Sequence, residues 1–278
     1  MAKYIVHKAI DLHKLSKQHR PTEEELKDYD WQPKVDGCNM VAIVSKDSVE
    51  LLSRTGEVVQ SAEHLKKELA VEYLGVYLGE YCVPNVDYAV TSGMFRHTKR
   101  QFPDANFYVF DYLTLNEWAE GEAGPWSGRW PQLRRVGGAH IVPLLPNYRE
   151  EAVEWMADHP EVGYDGLIAR ATTGQWIKGS SGKGGEIIKV KQVLSLDLRV
   201  VNILTALGEK TGRNVYNLEV QMGDKTINVG SGVPHKAEDL PQVGDIVEIE
   251  ALGYTSGGML REPRFKGIRY DKLEPDNG

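Results

Sequence analysis

The chain has few cysteines, no long apolar run and no surplus of positive charge. Cys38 and Cys82 are the only two cysteines among 278 residues, too few for a disulfide framework or a four-cysteine zinc site. Unpaired thiols fit a reducing compartment, so a cytoplasmic protein is expected. No apolar stretch of about 18 residues occurs, and the opening Met1-Ala2-Lys3-Tyr4-Ile5-Val6-His7 lacks an apolar signal core; neither a membrane span nor a membrane partner is expected. The eight histidines show no metal-ligand spacing. Internal repeats and low-complexity segments are missing as well. Lys and Arg number 33 against 40 Asp and Glu, a net charge of −7. Total charge therefore does not favour nucleic-acid binding, and any such binding must use a local basic face.

Hydrophobic residues make up 41% and charged residues 26%, which is enough for a sizeable core. Residues 1–30 read as a helical or irregular lead-in, with Pro21-Thr22 as a helix start and Glu23-Glu24-Glu25 as a solvated face. Strand-like runs follow at Val41 to Ser45, Val49 to Arg54, Gly75 to Val83 and Asn106 to Phe110, interrupted by a short amphipathic helix from Glu63 to Ala70. Residues 114–140 read as loop around a short helix, Trp130 to Val136, and Glu150 to Asp158 reads as helix. Strands return at Gly163 to Ala171 and Gly185 to Lys191, with a mobile Gly/Ser/Lys stretch, Gly179 to Gly185, between them.

The texture changes after Lys191. Short β runs at Asp197 to Leu204, Val215 to Gln221, Lys225 to Val229, Asp245 to Ala251 and Arg264 to Asp271 have the size and spacing of a five-stranded barrel of the oligonucleotide-binding (OB) type. The fold class is α+β: a domain of antiparallel sheets with flanking helices over residues 1–192, then an OB-fold β-barrel over residues 193–278. A hinge is expected near Gln192 to Leu196.

The candidate chemistry centres on Gln32-Pro33-Lys34-Val35-Asp36-Gly37, just ahead of the apolar run Met40 to Val44. A lysine held away from bulk water loses its preference for the charged form and becomes a nucleophilic amine. The plainer alternative is a surface lysine in an Asp-Gly turn. Other pieces line up behind it. Ser53-Arg54-Thr55-Gly56 ends a strand with an arginine suited to phosphate or ribose oxygens. Gly79-Glu80 and Asp165-Gly166 supply carboxylates, and Phe110-Asp111 sets an aromatic beside an acid. Lys189 and Lys191, two apart in a strand, share one face and suit a phosphate. Each has an ordinary reading too: Glu80 as an edge charge, Asp165-Gly166 as a hairpin turn, Phe110 as core, the lysines as a solvent face.

In this order and spacing the pieces resemble the covalent nucleotidyltransferase superfamily of ATP-dependent polynucleotide ligases and mRNA capping enzymes. The likeness spans six motifs from Gln32 to Lys272. The run from Met259 to Lys272, with Arg261-Glu262-Pro263-Arg264-Phe265 and then Arg269-Tyr270-Asp271-Lys272, resembles the C-terminal motif of ATP-dependent DNA ligases. The compact length is similar to phage or viral members with two core domains, so a bacterial or phage-infected cytoplasm is implied. The resemblance implies a ligase that seals nicked double-stranded DNA as a monomer, using ATP and Mg²⁺ or Mn²⁺ in replication or repair. It implies that Lys34 forms a lysyl-AMP, Glu80 and Asp165 hold the divalent cation, and Lys189 and Lys191 contact the α-phosphate. Phe110 and Ile168 would sandwich adenine, Gln32 would read its amino group, and Asp36 and Arg54 would face the ribose. Arg261, Arg269 and Lys272 would orient pyrophosphate.

The sequence departs from that pattern in places. DNA ligases usually carry an arginine five residues after the lysine; Asn39 stands there, as in some RNA-end-joining ligases, and carries no charge. Asp165 replaces the usual glutamate and Arg170 a common lysine. No separate N-terminal DNA-binding domain is expected ahead of Lys34, so the two core domains are expected to grip the duplex. An RNA ligase of the same superfamily is the alternative, and a GTP-using capping guanylyltransferase or an inactive nucleic-acid-binding homologue stands further off. Too few cysteines for zinc argues against an NAD-dependent ligase.

Overall fold

The computed structural model describes residues 4–70, 73–136, 140–145, 163–190, 194–207, 214–251 and 258–276. The chain divides into two compact units, Met1–Lys191 and Gln192–Gly278.

The elements of the first unit run β1 (Ile10–Asp11), β2 (Tyr29–Val35), β3 (Cys38–Val44), β4 (Val49–Ser53), α1 (Glu63–Leu69), β5 (Gly75–Cys82), α2 (Tyr88–Phe95) and β6 (Asn106–Leu113). They continue with α3 (Leu115–Glu120), β7 (Glu122–Ala123), α4 (Trp126–Val136), β8 (Tyr164–Ala171), β9 (Trp176–Ile177) and β10 (Ile187–Val190). Two four-stranded sheets carry the unit, in the orders β1-β10-β8-β2 and β4-β3-β5-β6, and β7 pairs with β9. All pairings are antiparallel except β1 with β10.

The run Met40 to Val44 explains the second sheet. Met40, Ala42 and Val44 pack on one face with Leu65 of α1, Phe95 of α2 and Leu133 of α4. Val41 packs on the other face with Val76, Leu78, Leu113 and Trp176. A near-continuous apolar strand is thus buried on both sides. Residues 140–145 then stitch the sheets together. Val109 N donates to His140 O at 2.8 Å, Val142 N to Val109 O at 2.8 Å, and Leu145 N to Trp31 O at 2.8 Å.

Several expectations are corrected. The lead-in holds only β1 and two short 3-10 turns among its described residues. Thr22 and Glu25 do make the reciprocal bonds of a helix start (Thr22 N to Glu25 Oε2 2.7 Å, Glu25 N to Thr22 Oγ1 3.2 Å), but the helix does not continue past one turn. Helix α2 was not expected, because its apolar residues lack helical periodicity; its start is fixed by Asp87, which accepts from Val90 N at 3.0 Å. In 114–140 the helix is longer than expected and α3 precedes it, opened by a Thr114–Glu117 capping box. The Gly179 to Gly185 stretch consists of bonded turns, with Lys8 N donating to Ser180 O at 3.0 Å. The helix expected at Glu150 to Asp158 lies outside the described residues.

The second unit contains β11 (Leu194–Leu207), β12 (Asn214–Met222), β13 (Lys225–Val229), β14 (Ile246–Ala251) and β15 (Arg264–Ile268). They form one five-stranded sheet in the order β13-β12-β11-β14-β15. Leu198, Val200, Leu218, Val220, Val247 and Ile249 line its buried face. The expected closed barrel is not shown. The two edges meet at a single parallel bridge, Ser231 with Arg264, so among the described residues the sheet curls without a closing ladder. Strand β15 stops at Ile268 because the chain turns there, Lys272 N donating to Arg269 O at 3.1 Å. No helix among the described residues is long and apolar enough to cross a membrane.

A buried ionic cluster locks β6, α4 and β8 together. Asp111 accepts from Arg129 Nε (3.0 Å) and Nη2 (3.2 Å) and from Arg170 Nη1 (3.3 Å). Burial pushes Arg170 down to about 10 against the pull of Asp111, so it stays charged at neutral pH. Asp111→Ala leaves two buried guanidinium groups without their carboxylate. That is expected to cost about 3–5 kcal/mol, read as a lower urea midpoint; a loss below about 1 kcal/mol would show that the cluster does not hold these elements together.

Candidate active site

Strands β2 and β8 pair in register at Pro33 with Leu167, but the next pair is Val35 with Tyr164. Lys34 therefore faces two residues, Asp165 and Gly166. Such a β-bulge twists the strand and re-aims the side chains at it. Gly166 has φ +131°, a conformation glycine adopts without penalty; Asp165-Gly166 is a bulge in a strand and not a hairpin turn. The bulge brings Lys34 Nζ to 2.5 Å from Asp165 Oδ1, with side-chain exposures of 23% and 4%.

This pair corrects the expectation of an uncharged lysine. Burial works to lower the pKa of Lys34, but the attraction and hydrogen bond of Asp165 and the charges of Glu80 and Asp36 outweigh it. The result lies above the ordinary lysine value. The amine is dry enough to be reactive but surrounded by too much negative charge to give up its proton unaided.

Glu80 is half-buried on β5, directly opposite Asn39 of β3. Asn39 Nδ2 donates to Glu80 Oε1 at 3.4 Å. Burial first, then the charges of Asp165 and Asp36, push Glu80 up to about 7, against the downward pull of Lys34 and Asn39. Gly37 makes this approach possible: a Cβ there would stand 2.5 Å from the Tyr81 carbonyl oxygen and 3.0 Å from Glu80 Cβ. The carboxylates of Glu80 and Asp165 are hard oxygen donors short of positive charge, which fits a divalent cation. No group of three or more His, Cys, Asp or Glu among the described residues could hold a metal. A cation on two carboxylates takes its remaining ligands from water and phosphate, as Mg²⁺ does.

Ile168 pairs with Gln32 on one side and Lys189 on the other, and Lys189 with Asp11, so the four form one row across the first sheet. Ile168 is half-buried. Lys189 Nζ lies 3.6 Å from Asp11 Oδ1, a carboxylate that sequence reasoning missed. Gln32 is 1% exposed and committed to the protein: its Oε1 accepts from Arg170 Nε at 2.6 Å and its Nε2 donates to Val142 O at 3.2 Å. Phe110 is the extra residue of a second bulge, between Leu78–Asp111 and Gly79–Val109. It is half-buried, with the Arg170 guanidinium 5.1 Å from its ring centre. Asp36 N donates to Gly163 O at 3.0 Å. Arg54 is exposed and lies over the Tyr4 ring at 5.4 Å. Lys191 lies outside the described residues.

In the second unit Arg261 is half-buried beside Glu262, which holds a left-handed φ of +49°. Arg269 Nη1 donates to Asp197 Oδ2 at 2.6 Å, and its other nitrogens bind Asp271 at 2.9 and 2.7 Å. Lys272 pairs with Asp197 and with Asp276. These two cations are thus tied to acids of their own unit. Asp197 and Arg170 were missed as partners, although a charged residue inside an apolar strand (Ile168-Ala169-Arg170, Leu196-Asp197-Leu198) is the signal that marks a buried pair.

Residues 31–191, which carry Lys34, Glu80 and Asp165, match the RNA ligase family model. The chain belongs to the RNA ligase family. No curated protein matches it. Among solved structures this family member is similar in fold to one named Pmar-Lig_Pre, at 19% identity and TM-score 0.69, over 97% of this chain and 68% of that one. It is similar to a Lig E DNA ligase at 18% identity and TM-score 0.66, over 94% and 99% of the two chains. It is also similar to the ATP-dependent DNA ligase of bacteriophage T7 in complex with ATP, at 16% identity and TM-score 0.53, over 96% and 99%.

The raised Glu80 has a consequence for stability. Its carboxyl holds a proton in the folded ligase until about 7 rather than the ordinary 4.5. The unfolded chain ionises first, so the contribution of Glu80 to stability is complete below about 4.5 and is lost as pH rises through about 7. Urea unfolding across that range is expected to show the decline, and Glu80→Gln to flatten it. An equal slope in the variant would refute the raised carboxyl.

Proposed function

We propose that this ligase-family chain is an ATP-dependent DNA ligase that seals nicks in duplex DNA. The observation that carries the reading is the Lys34–Asp165 pair at its bulge, with the charges of Glu80 and Asp36 acting on the same amine. Lys34 Nζ gives one proton to water and attacks the α-phosphorus of ATP. An N–P bond forms as the P–O bond to pyrophosphate breaks and the nitrogen's second proton passes to solvent, leaving lysyl-AMP. The adenylate then passes to a 5′-phosphate, and a 3′-hydroxyl displaces AMP to join the strand. Glu80 and Asp165 would hold a divalent cation, Mg²⁺ or Mn²⁺, which supplies positive charge that favours the free amine and offsets charge on the phosphoryl group.

Lys189 and Lys191 would contact the α-phosphate, Lys189 exchanging Asp11 for it. Phe110 and Ile168 would cover the two faces of adenine, and Asp36 and Arg54 would meet the ribose. Gln32, buried and satisfied by Arg170 and Val142, is better suited to shaping the pocket from behind than to reading the base. Arg261, Arg269 and Lys272 would bind pyrophosphate, which must then compete with Asp197 for the last two. On this reading residues 1–192 are the adenylation domain and residues 193–278 an OB-fold domain, in a cytoplasmic monomer.

Likeness in fold to DNA ligases over nearly the whole chain supports DNA as the substrate. Asn39 and the RNA ligase family favour a second reading, an RNA ligase built on the same chemistry. Incubation with α-labelled ATP or GTP and Mg²⁺, followed by a denaturing gel, is expected to label the protein with ATP alone. Lys34→Ala should drop the label to background, and chelating the metal should do the same. A labelled Lys34→Ala protein would overturn the mechanism. Faster sealing of a nicked RNA strand than of a nicked DNA duplex would establish the second reading instead.

A further inference from the structure

A chain of net charge −7 needs a concentrated basic surface to hold a polyanion. Arg96-His97-Thr98-Lys99-Arg100 is such a surface, and every one of its five residues is exposed. None of Arg96, Lys99 and Arg100 forms an ion pair with another described residue, whereas the nearby Glu63 is taken by Lys66 at 2.7 Å.

The run is held in shape. The His97 ring nitrogen Nδ1 accepts from the backbone of Lys99 (3.2 Å) and of Arg100 (3.0 Å). Arg100 stacks 5.2 Å from the Phe102 ring centre, and Phe102 N donates to Ser61 O at 3.1 Å. Its position follows from α2, which buries Thr91, Ser92 and Phe95 against the sheet and so delivers Arg96 beside β3. The Cys38 thiol reports that proximity. Burial and Glu80 push it up to about 11, while Ser92, Arg96 and Arg54 pull the other way. Arg96 and Glu80 thus act on the residue next to Asn39. An uncharged asparagine at position 39 adds no cation of its own, so the grip on phosphate falls to cations elsewhere on this unit.

We infer that Arg96, Lys99 and Arg100 form a binding surface for the phosphodiester backbone of the nucleic acid on which the Lys34 site works. The choice of nucleic acid over an acidic protein rests on the ligase reading above. Exposed cations on a backbone held in shape, with no carboxylate partner among the described residues to give up, bind phosphate and release its counterions.

The test is affinity of the full chain for a nicked, 5′-phosphorylated DNA duplex in EDTA, measured from low to moderate salt. The Arg96→Ala/Lys99→Ala/Arg100→Ala variant is expected to bind at least about tenfold more weakly, with a log–log salt slope shallower by about 2.7, roughly 0.9 for each lost phosphate contact. A second variant, Lys17→Ala/Lys27→Ala/Lys46→Ala, removes three exposed cations elsewhere and should change the slope far less. Equal losses in the two variants, or an unchanged slope in the first, would overturn the surface. A fall in affinity for an acidic polypeptide such as polyglutamate, with none for the duplex, would also overturn it in favour of a protein partner. Label transfer from ATP to the unsubstituted protein in the same preparation decides the ligase reading separately.

Discussion

One contact organises the first unit: the ammonium of Lys34 against the buried carboxylate of Asp165. Two charges this close in a poorly hydrated place attract strongly but are costly to bury. The structure meets that cost with backbone geometry. The bulge opposite Lys34 and the left-handed Gly166 turn both side chains to one point. Gly37 then lets the chain cross to the second sheet at a distance no other residue allows. Glu80 arrives from that sheet, and its raised carboxyl reflects how much negative charge has been gathered around one amine.

The same logic operates a layer further back. Asp111 neutralises two buried arginines, and one of these, Arg170, also holds Gln32 and covers a face of Phe110. The Trp126 indole, 4.5 Å from Arg170, donates to Asp30 at 2.7 Å and extends the network to β2. The residues nearest the lysine are therefore positioned by charges that never touch it. The second unit repeats the arrangement, with Asp197 gathering Arg269 and Lys272.

Residue order along the chain singled out Lys34, Glu80 and Asp165, three side chains that the structure brings together, because short motifs record which chemistry each strand end carries. Apolar patterning likewise located most strands, and Lys225–Val229 falls where it was expected to the residue. Helix α2 escaped because its contacts are set by the sheet below it rather than by its own periodicity. The charge state of Lys34 came out opposite to expectation. Burial alone argues for a neutral amine, and only Asp165 and Glu80 from other strands, with Asp36 two residues along the chain, reverse the sign.

The sequence by itself determined the type of chemistry available and the strands that carry it, since side-chain identity and alternation are local properties. Tertiary structure alone decided which acid meets which base. Lys34 and Asp165 lie 131 positions apart, and Gln32 and Arg170 lie 138 apart. No local pattern encodes such pairings. They arise where strand register, a displaced residue at a bulge and the close approach of two sheets bring distant charges to one point.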